Sequence, residues 1–158
     1  MTAEYIPAAG PVPFSLFEID AGMPNVSMKS SREEIRNAFK ITSNKTEQEL
    51  IDSYNLAFDS NAQTVTFCGI PIRNIGFYWG NAGELTGIEI QIHGLREDFI
   101  QLRDNLIKAL SNQSQYDTEQ TSSTGGTVTK CRWVCTNGIT IEIVDNVRYL
   151  GDIMITIR

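Results

Sequence analysis

CRWVCTNGITIEIV (residues 131–144) has two extended-looking runs on either side of Asn137-Gly138. Asn-Gly is the strongest short hairpin signal, because a type I′ turn needs positive φ at both central residues. A two-residue loop there predicts that Thr136 opposes Ile139, Val134 opposes Ile141 and Trp133 opposes Glu142. Val134, Ile139, Ile141 and Ile143 then form a core face. Cys131, Trp133, Cys135, Thr140, Glu142 and Val144 fall on the other.

The two cysteines cannot bond to each other. They point the same way, but four residues along a strand span about 13 Å, and a disulfide needs Cα atoms within about 7 Å. The same span rules out joint ligation of one zinc ion, whose bonds to sulfur are about 2.3 Å long. No CxxC pair and only one histidine, His93, are present. Cys68 can reach one of the two if its strand neighbours the hairpin, yet three cysteines leave one unpaired. Reduced thiols are the expectation, with Cys68 a small buried hydrophobe.

Working outward, MKSSREEIRNAFK (residues 28–40) offers Ser30 or Ser31 as a cap, with Glu33 or Glu34 three residues on. Ile35, Ala38 and Phe39 share a helical face. NKTEQELIDSYNLAF (residues 44–58) repeats the device with Thr46 and Glu49, and Leu50, Tyr54, Ala57 and Phe58 predict a second helix. PFSLFEI (residues 13–19) and QTVTFCGI (residues 63–70) read as strands. IRNIGFYWGNAGELTGIEIQIH (residues 72–93) reads as a hairpin turning at Gly80 to Gly83, with Trp79 opposite Glu84. Ile75, Phe77, Trp79, Ile88 and Ile90 then share one face, and Tyr78, Glu89, Gln91 and His93 the other.

REDFIQLRDNLIKAL (residues 96–110) is the clearest helix: Phe99, Leu102, Leu106 and Leu110 form a stripe widened by Ile107. Residues 111–127 are Ser/Thr/Gln/Gly-rich and predict a mobile loop. A final strand, GDIMITIR (residues 151–158), closes the chain. Runs of strands joined by hairpins imply an α+β fold: an antiparallel sheet of about six strands, with two or three helices on one face. Residues 1–13 read as a flexible lead-in and 14–158 as one domain.

Nineteen acids against thirteen bases give a net charge of −6. No cluster of lysine and arginine tracks a phosphate backbone, so nucleic acid is not the expected partner. No run is long and apolar enough for a membrane span. The N-terminus lacks a secretory signal, so the expectation is cytoplasmic, or periplasmic if a leader has been removed.

No GxSxG, P-loop, dinucleotide fingerprint or HExxH motif occurs. Any Ser–His or Cys–His chemistry must pass through His93, which ends a strand just before Gly94. The carboxylate pairs Glu33-Glu34 and Glu97-Asp98 lie in helix first turns, where the dipole accounts for them. No enzyme activity, cofactor or metal is therefore expected. The face bearing Trp133 and Glu142 is either covered by a helix or loop, or is a binding surface continued by Tyr78, Glu89, Gln91 and His93. Aromatic and charged anchors of that kind suit a protein interface. Candidate partner-binding residues are Trp133, Glu142, Tyr78, His93 and Glu89, with the 111–127 loop as an ordering element. A pocket near His93 for a small molecule, and a structural subunit of a larger assembly, are the alternatives.

FEIDAGMPNVSMKSSREEIRNAF (residues 17–39) resembles the opening of small bacterial envelope domains, in which Gly-Met precedes a helix starting Ser-x-Glu-Glu-Ile. FCGIPIRNIGFYWGNAGELTGIEIQI (residues 67–92), then a helix, then RWVCTNGITIEIV (residues 132–144), is similar to the layout of β-lactamase-inhibitor-protein-like and outer-membrane-assembly-lipoprotein domains. The resemblance implies a non-catalytic domain that binds another protein across its sheet, as inhibitors, immunity proteins and assembly lipoproteins do. The chain departs from the pattern in lacking a lipobox and in having the second helix-like segment.

Overall fold

The computed structural model describes residues 5–41, 49–55, 64–123, 126–146 and 151–158. In chain order the elements are β1 (Phe17–Ile19), α1 (Arg32–Ala38), β2 (Ile51–Asn55), β3 (Val65–Phe67), β4 (Ile70–Pro71), β5 (Asn74–Trp79), β6 (Leu85–His93), α2 (Arg96–Leu110), β7 (Ser114–Ser123), β8 (Gly126–Cys135), β9 (Thr140–Asn146) and β10 (Asp152–Ile157). The strands form a small antiparallel sheet ordered β1-β3-β4 and a seven-stranded one ordered β2-β5-β6-β10-β9-β8-β7. The α+β class with antiparallel sheets is as expected, but the large sheet is wider than the sequence suggested, and three strands lie apart from it.

Both helices and the small sheet pack on one face of the large sheet. Ser31 caps α1, its side chain accepting from the Glu34 N–H while Glu34 accepts from the Ser31 N–H. Ile35 and Phe39 are fully buried below that cap. An aromatic chain ties the layers together: Phe39 lies 4.9 Å from Phe77 of β5 and 5.5 Å from Phe17 of β1, and Phe17 lies 5.0 Å from Phe67 of β3. Phe99, Leu102, Leu106 and Leu110 bury the face of α2, whereas Ile107 stays 39% exposed and lies outside that stripe.

Two expected elements differ. The second helix is strand β2: Asp52 and Tyr54 point inward while Ile51 and Ser53 point outward, a period of two rather than 3.6. Thr46, Ala57 and Phe58, which suggested helical spacing, lie outside the described residues. Within 111–127, residues 114–123 form β7, paired along its whole length with β8. A polar edge strand shows no apolar alternation, so its composition resembled that of a loop.

The decisive difference is in the β8–β9 hairpin. Trp133 pairs with Ile141, Arg132 with Glu142 and Val134 with Thr140. The Cys135 N–H bonds the Ile139 carbonyl at 2.8 Å, and the Gly138 N–H bonds the Cys135 carbonyl at 3.0 Å. The loop is therefore three residues, Thr136 to Gly138, with Gly138 at φ 89°, a turn followed by a left-handed glycine. One extra loop residue inverts every side chain of β8. Trp133, Cys131 and Cys135 are buried and Val134 is 47% exposed. The expected register would have turned Lys130 and Arg132 inward with Val134, which burial of unpaired charge forbids.

In the β5–β6 hairpin the pairing is shifted by two residues along most of its length, Phe77 opposing Ile88, and by one beyond a bulge, where Trp79 opposes Leu85. A shift of two preserves the faces, so Ile75, Phe77, Trp79, Ile88 and Ile90 are buried together as expected.

Candidate functional site

The helices leave the opposite, outer face of the large sheet to the side chains of alternate residues. Register aligns Glu89 of β6, Thr156 of β10, Glu142 of β9, Arg132 of β8 and Asp117 of β7 in one row across five strands. The polar groups satisfy one another. The Tyr78 hydroxyl donates to Glu89 at 2.7 Å, and the hydrogen bond, with some burial, raises the Tyr78 pKa. Arg132 Nε donates to Glu142 at 2.8 Å.

Farther along β6, Gln91 accepts from Asn74 Nδ2 and donates to Asp152, each at 2.6 Å. His93 Nδ1 lies 3.2 Å from the other Asp152 oxygen. Asp152 is almost fully buried by its neighbours although it lies on the outer face.

Two open depressions of about 240 and 290 Å³ flank the end of β10 and share Thr156 and Arg158. Tyr78, Gly87 and Glu89 border the first, and Arg132, Val134 and Glu142 the second.

Of the expected residues, Tyr78, Glu89, Glu142 and His93 share this face. Trp133 does not: it lies in the core at 1% exposure, its ring 5.0 Å from that of Tyr116. Glu89 and Glu142 are separated by β10, about 10 Å apart. His93 stands four residues from Glu89 along β6 and forms a separate group with Asp152. The space between sheet and α2 is filled by Phe99 and Leu102, and the depression beside His93, bordered by Pro71, Ile72 and Arg73, lies open at the sheet end.

Sequence reasoning missed Arg132 and Thr156. For Arg132 the signal was its parity with Lys130, two bases whose exposure fixes the register. Thr156 had none, because the place of the last strand between β6 and β9 depends on long-range pairing.

A second polar cluster lies on the inner face. Asp52 is fully buried and accepts from Arg32 Nε at 2.7 Å and Nη2 at 3.0 Å, from Arg36, and from Trp79 Nε1 at 3.0 Å. Burial alone would raise its pKa, but the Arg32 hydrogen bonds and the Arg32 and Arg36 charges prevail and hold the carboxyl below the ordinary aspartate range. This is a structural staple between α1 and the sheet. All three cysteines are buried free thiols. Among the described residues no group of three His, Cys, Asp or Glu side chains is placed to hold a metal ion, and no helix is long and apolar enough to cross a membrane.

No protein-family model matches the chain, and no match is found among the curated proteins or the solved structures.

Proposed function

We propose that the chain is a non-catalytic binding domain that recognises another protein through the outer face of its large sheet. The observation that carries this reading is the pair of adjoining depressions around Thr156 and Arg158, rimmed by Tyr78 with Glu89 on one side and Arg132 with Glu142 on the other. The phenol of Tyr78 and the exposed Val134 lie at opposite ends of this surface with the paired charges between them, a mixed apolar and polar surface of the kind that protein interfaces use. The sequence resemblance to bacterial inhibitor-like and envelope-assembly domains supports the same reading. His93 and Asp152 lie at the far end of this surface.

Thr156→Arg tests the reading, because its side chain projects from the centre of both depressions. Immobilised wild-type chain should retain a stoichiometric partner from bacterial lysate, and Thr156→Arg and Glu142→Arg should each lose it, with melting temperature shifted by no more than a few degrees. Losing the exposed Arg132 pair costs only about 0–1 kcal/mol. Trp133→Ala is unsuited to this purpose, since truncating a buried tryptophan costs about 3–5 kcal/mol and unfolds the surface with the core. A partner held equally by both arginine variants would exclude the outer face.

A further inference from the structure

The large sheet ends at β7, and among the described residues no strand lies on its far side. Residues 115–122 are all exposed. Natural edges are blunted by proline, lysine, bulges or shortness. β7 has none of these, and the charges it sets against edge pairing are acids only, Asp117 and Glu119: SQYDTEQTSS pairs with β8 in regular register for ten residues.

The ladder shows which amides face outward. Cys135 bonds toward β9 through the Ile139 carbonyl. Hydrogen-bonding direction alternates along an antiparallel strand, so Trp133 also turns its main chain toward β9, and Val134, Arg132 and Lys130 turn theirs toward β7. Thr140, which exchanges both main-chain bonds with Arg158 beyond β10, fits the same alternation. The partners Gln115, Asp117 and Glu119 therefore bond inward, and the main chain of Tyr116, Thr118, Gln120 and Ser122 faces the open side. There, the Thr118 N–H is capped by the Asp117 carboxylate at 2.8 Å.

Charges alternate across the outer face and stop at an acid. One row runs Glu142, Arg132, Asp117, and the next runs Val144, Lys130, Glu119. A further strand continues the alternation only with bases opposite Asp117 and Glu119.

On the inner side, α2 supplies a wall. Its flank bearing Asn105 and Lys108 bonds the Cys68 and Tyr5 carbonyls. Ile100, Arg103 and Ile107, spaced three and four apart, make the opposite flank. Ile100 is 38% and Ile107 39% exposed, and Tyr116 on β7 is 43% exposed. The Tyr116 phenol is pushed up to about 12 by burial and its hydrogen bond to the Cys131 thiol, while Arg103 lies close enough for its charge to oppose that rise.

We propose that the free edge of β7 and the Ile100–Arg103–Ile107 flank of α2 form a groove that takes an extended segment of another protein. The segment adds as an eighth strand, with lysine or arginine at alternate positions facing Asp117 and Glu119 and apolar side chains between them facing Tyr116 and α2. A carbonyl of the segment displaces Asp117 from the Thr118 N–H and frees that carboxylate for a base. A second copy pairing antiparallel about Thr118 is disfavoured, because that register sets Asp117 against the copy's Glu119. The groove is separate from the outer-face depressions, and its test reads different atoms.

The probe is a short synthetic peptide alternating lysine with valine, compared with one carrying glutamate for lysine. Bound to the full chain, the lysine peptide should slow amide hydrogen exchange at Tyr116, Thr118 and Gln120, and the glutamate peptide should not. Gln120→Pro removes an outward N–H and leaves the β8 ladder intact, so it should weaken binding about tenfold or more with little change in melting temperature. Asp117→Lys with Glu119→Lys should invert the peptide preference, and this pair decides the matter if the proline variant fails to fold. Absence of lysine-peptide binding, protection at β2 or the outer face instead, or indifference to these variants would overturn the proposal. A dimer protecting the same amides without peptide would give the groove to a second copy and overturn it equally.

Discussion

Asp52 lies on the second strand, fully buried, and holds two arginines of α1 beneath the core surface. Arg32 and Arg36 occupy successive turns of one face of α1, so the carboxylate fixes the helix over β2 and β5 while Trp79 Nε1 closes the cluster from the sheet. Removing one partner from such a group leaves buried charge uncompensated, at a cost of roughly 3–5 kcal/mol. The sign with pH follows from the depressed pKa. The contribution is full above the unfolded aspartate value of about 3.9 and is lost as pH falls through the lower folded value. Asp52→Asn should therefore be much less stable than wild type at neutral pH, and the gap should close between about pH 5 and pH 2. Urea unfolding across that range measures it, and a gap constant with pH would mean that the carboxylate charge is not what holds α1. None of this is legible in the sequence, where the stretch that contains Asp52 reads as a helix. A buried aspartate is visible only once its arginines are placed.

The elements separate into those specified locally and those specified by register. α1 and α2 were legible because capping and a four-residue apolar stripe are short-range signals. β7 was not, since Thr, Ser and Gln on both faces leave no alternation to detect. The β8–β9 hairpin was half legible: Asn137-Gly138 marked the turn, but loop length decides which face of β8 is core. Two deletions separate turn chemistry from register. Removing Thr136 leaves Asn137-Gly138 as a two-residue loop between Cys135 and Ile139, which still pair, so every face is preserved. It should fold at a cost of about 1–2 kcal/mol, from the lost Thr136 N–H bond to the Gln113 carbonyl and a rearranged Asn137. Removing Cys135 instead lets Thr136 take its place opposite Ile139 over the same two-residue loop, so this variant too should fold with Trp133 buried, less stably by the loss of one buried thiol. Thermal melts of the two variants check this. If either deletion abolished cooperative unfolding, loop geometry and not the burial of Trp133 would be setting the register.

At the scale of the whole molecule, the N-terminal segment links parts that the sheets leave separate. Residues 1–13 read from sequence as a flexible lead-in, and of these the Tyr5 carbonyl accepts from Lys108 of α2 at 3.1 Å and the Val12 carbonyl accepts from Asn137 of the β8–β9 loop at 3.2 Å. The Tyr5 ring covers the β3–β4 turn, so close that a Cβ on Gly69 would meet it at 3.3 Å. That turn takes positive φ at both Cys68 and Gly69, 51° and 81°, and Cys68 is held there by hydrogen bonds from its N–H to the Leu16 carbonyl and from the Asn105 side-chain amide to its own carbonyl, each 2.8 Å. Burial raises the pKa of the Cys68 thiol, and burial followed by the neighbouring Cys68 raises that of Tyr5, whose buried hydroxyl has no hydrogen-bond partner among the described residues. The reactive thiolate is thus suppressed, and the tyrosine is the movable part of its cover. An aromatic disulfide reagent at about pH 8 should label all three cysteines of the native protein slowly. Tyr5→Ala should speed Cys68 by about tenfold while Cys131 and Cys135, shielded by the large sheet and α2, keep their rates. Peptide mapping by mass spectrometry assigns the sites. A uniform rise at all three cysteines would mean global loosening, and no rise at Cys68 would mean that the β3–β4 turn shields its thiol without the N-terminal segment.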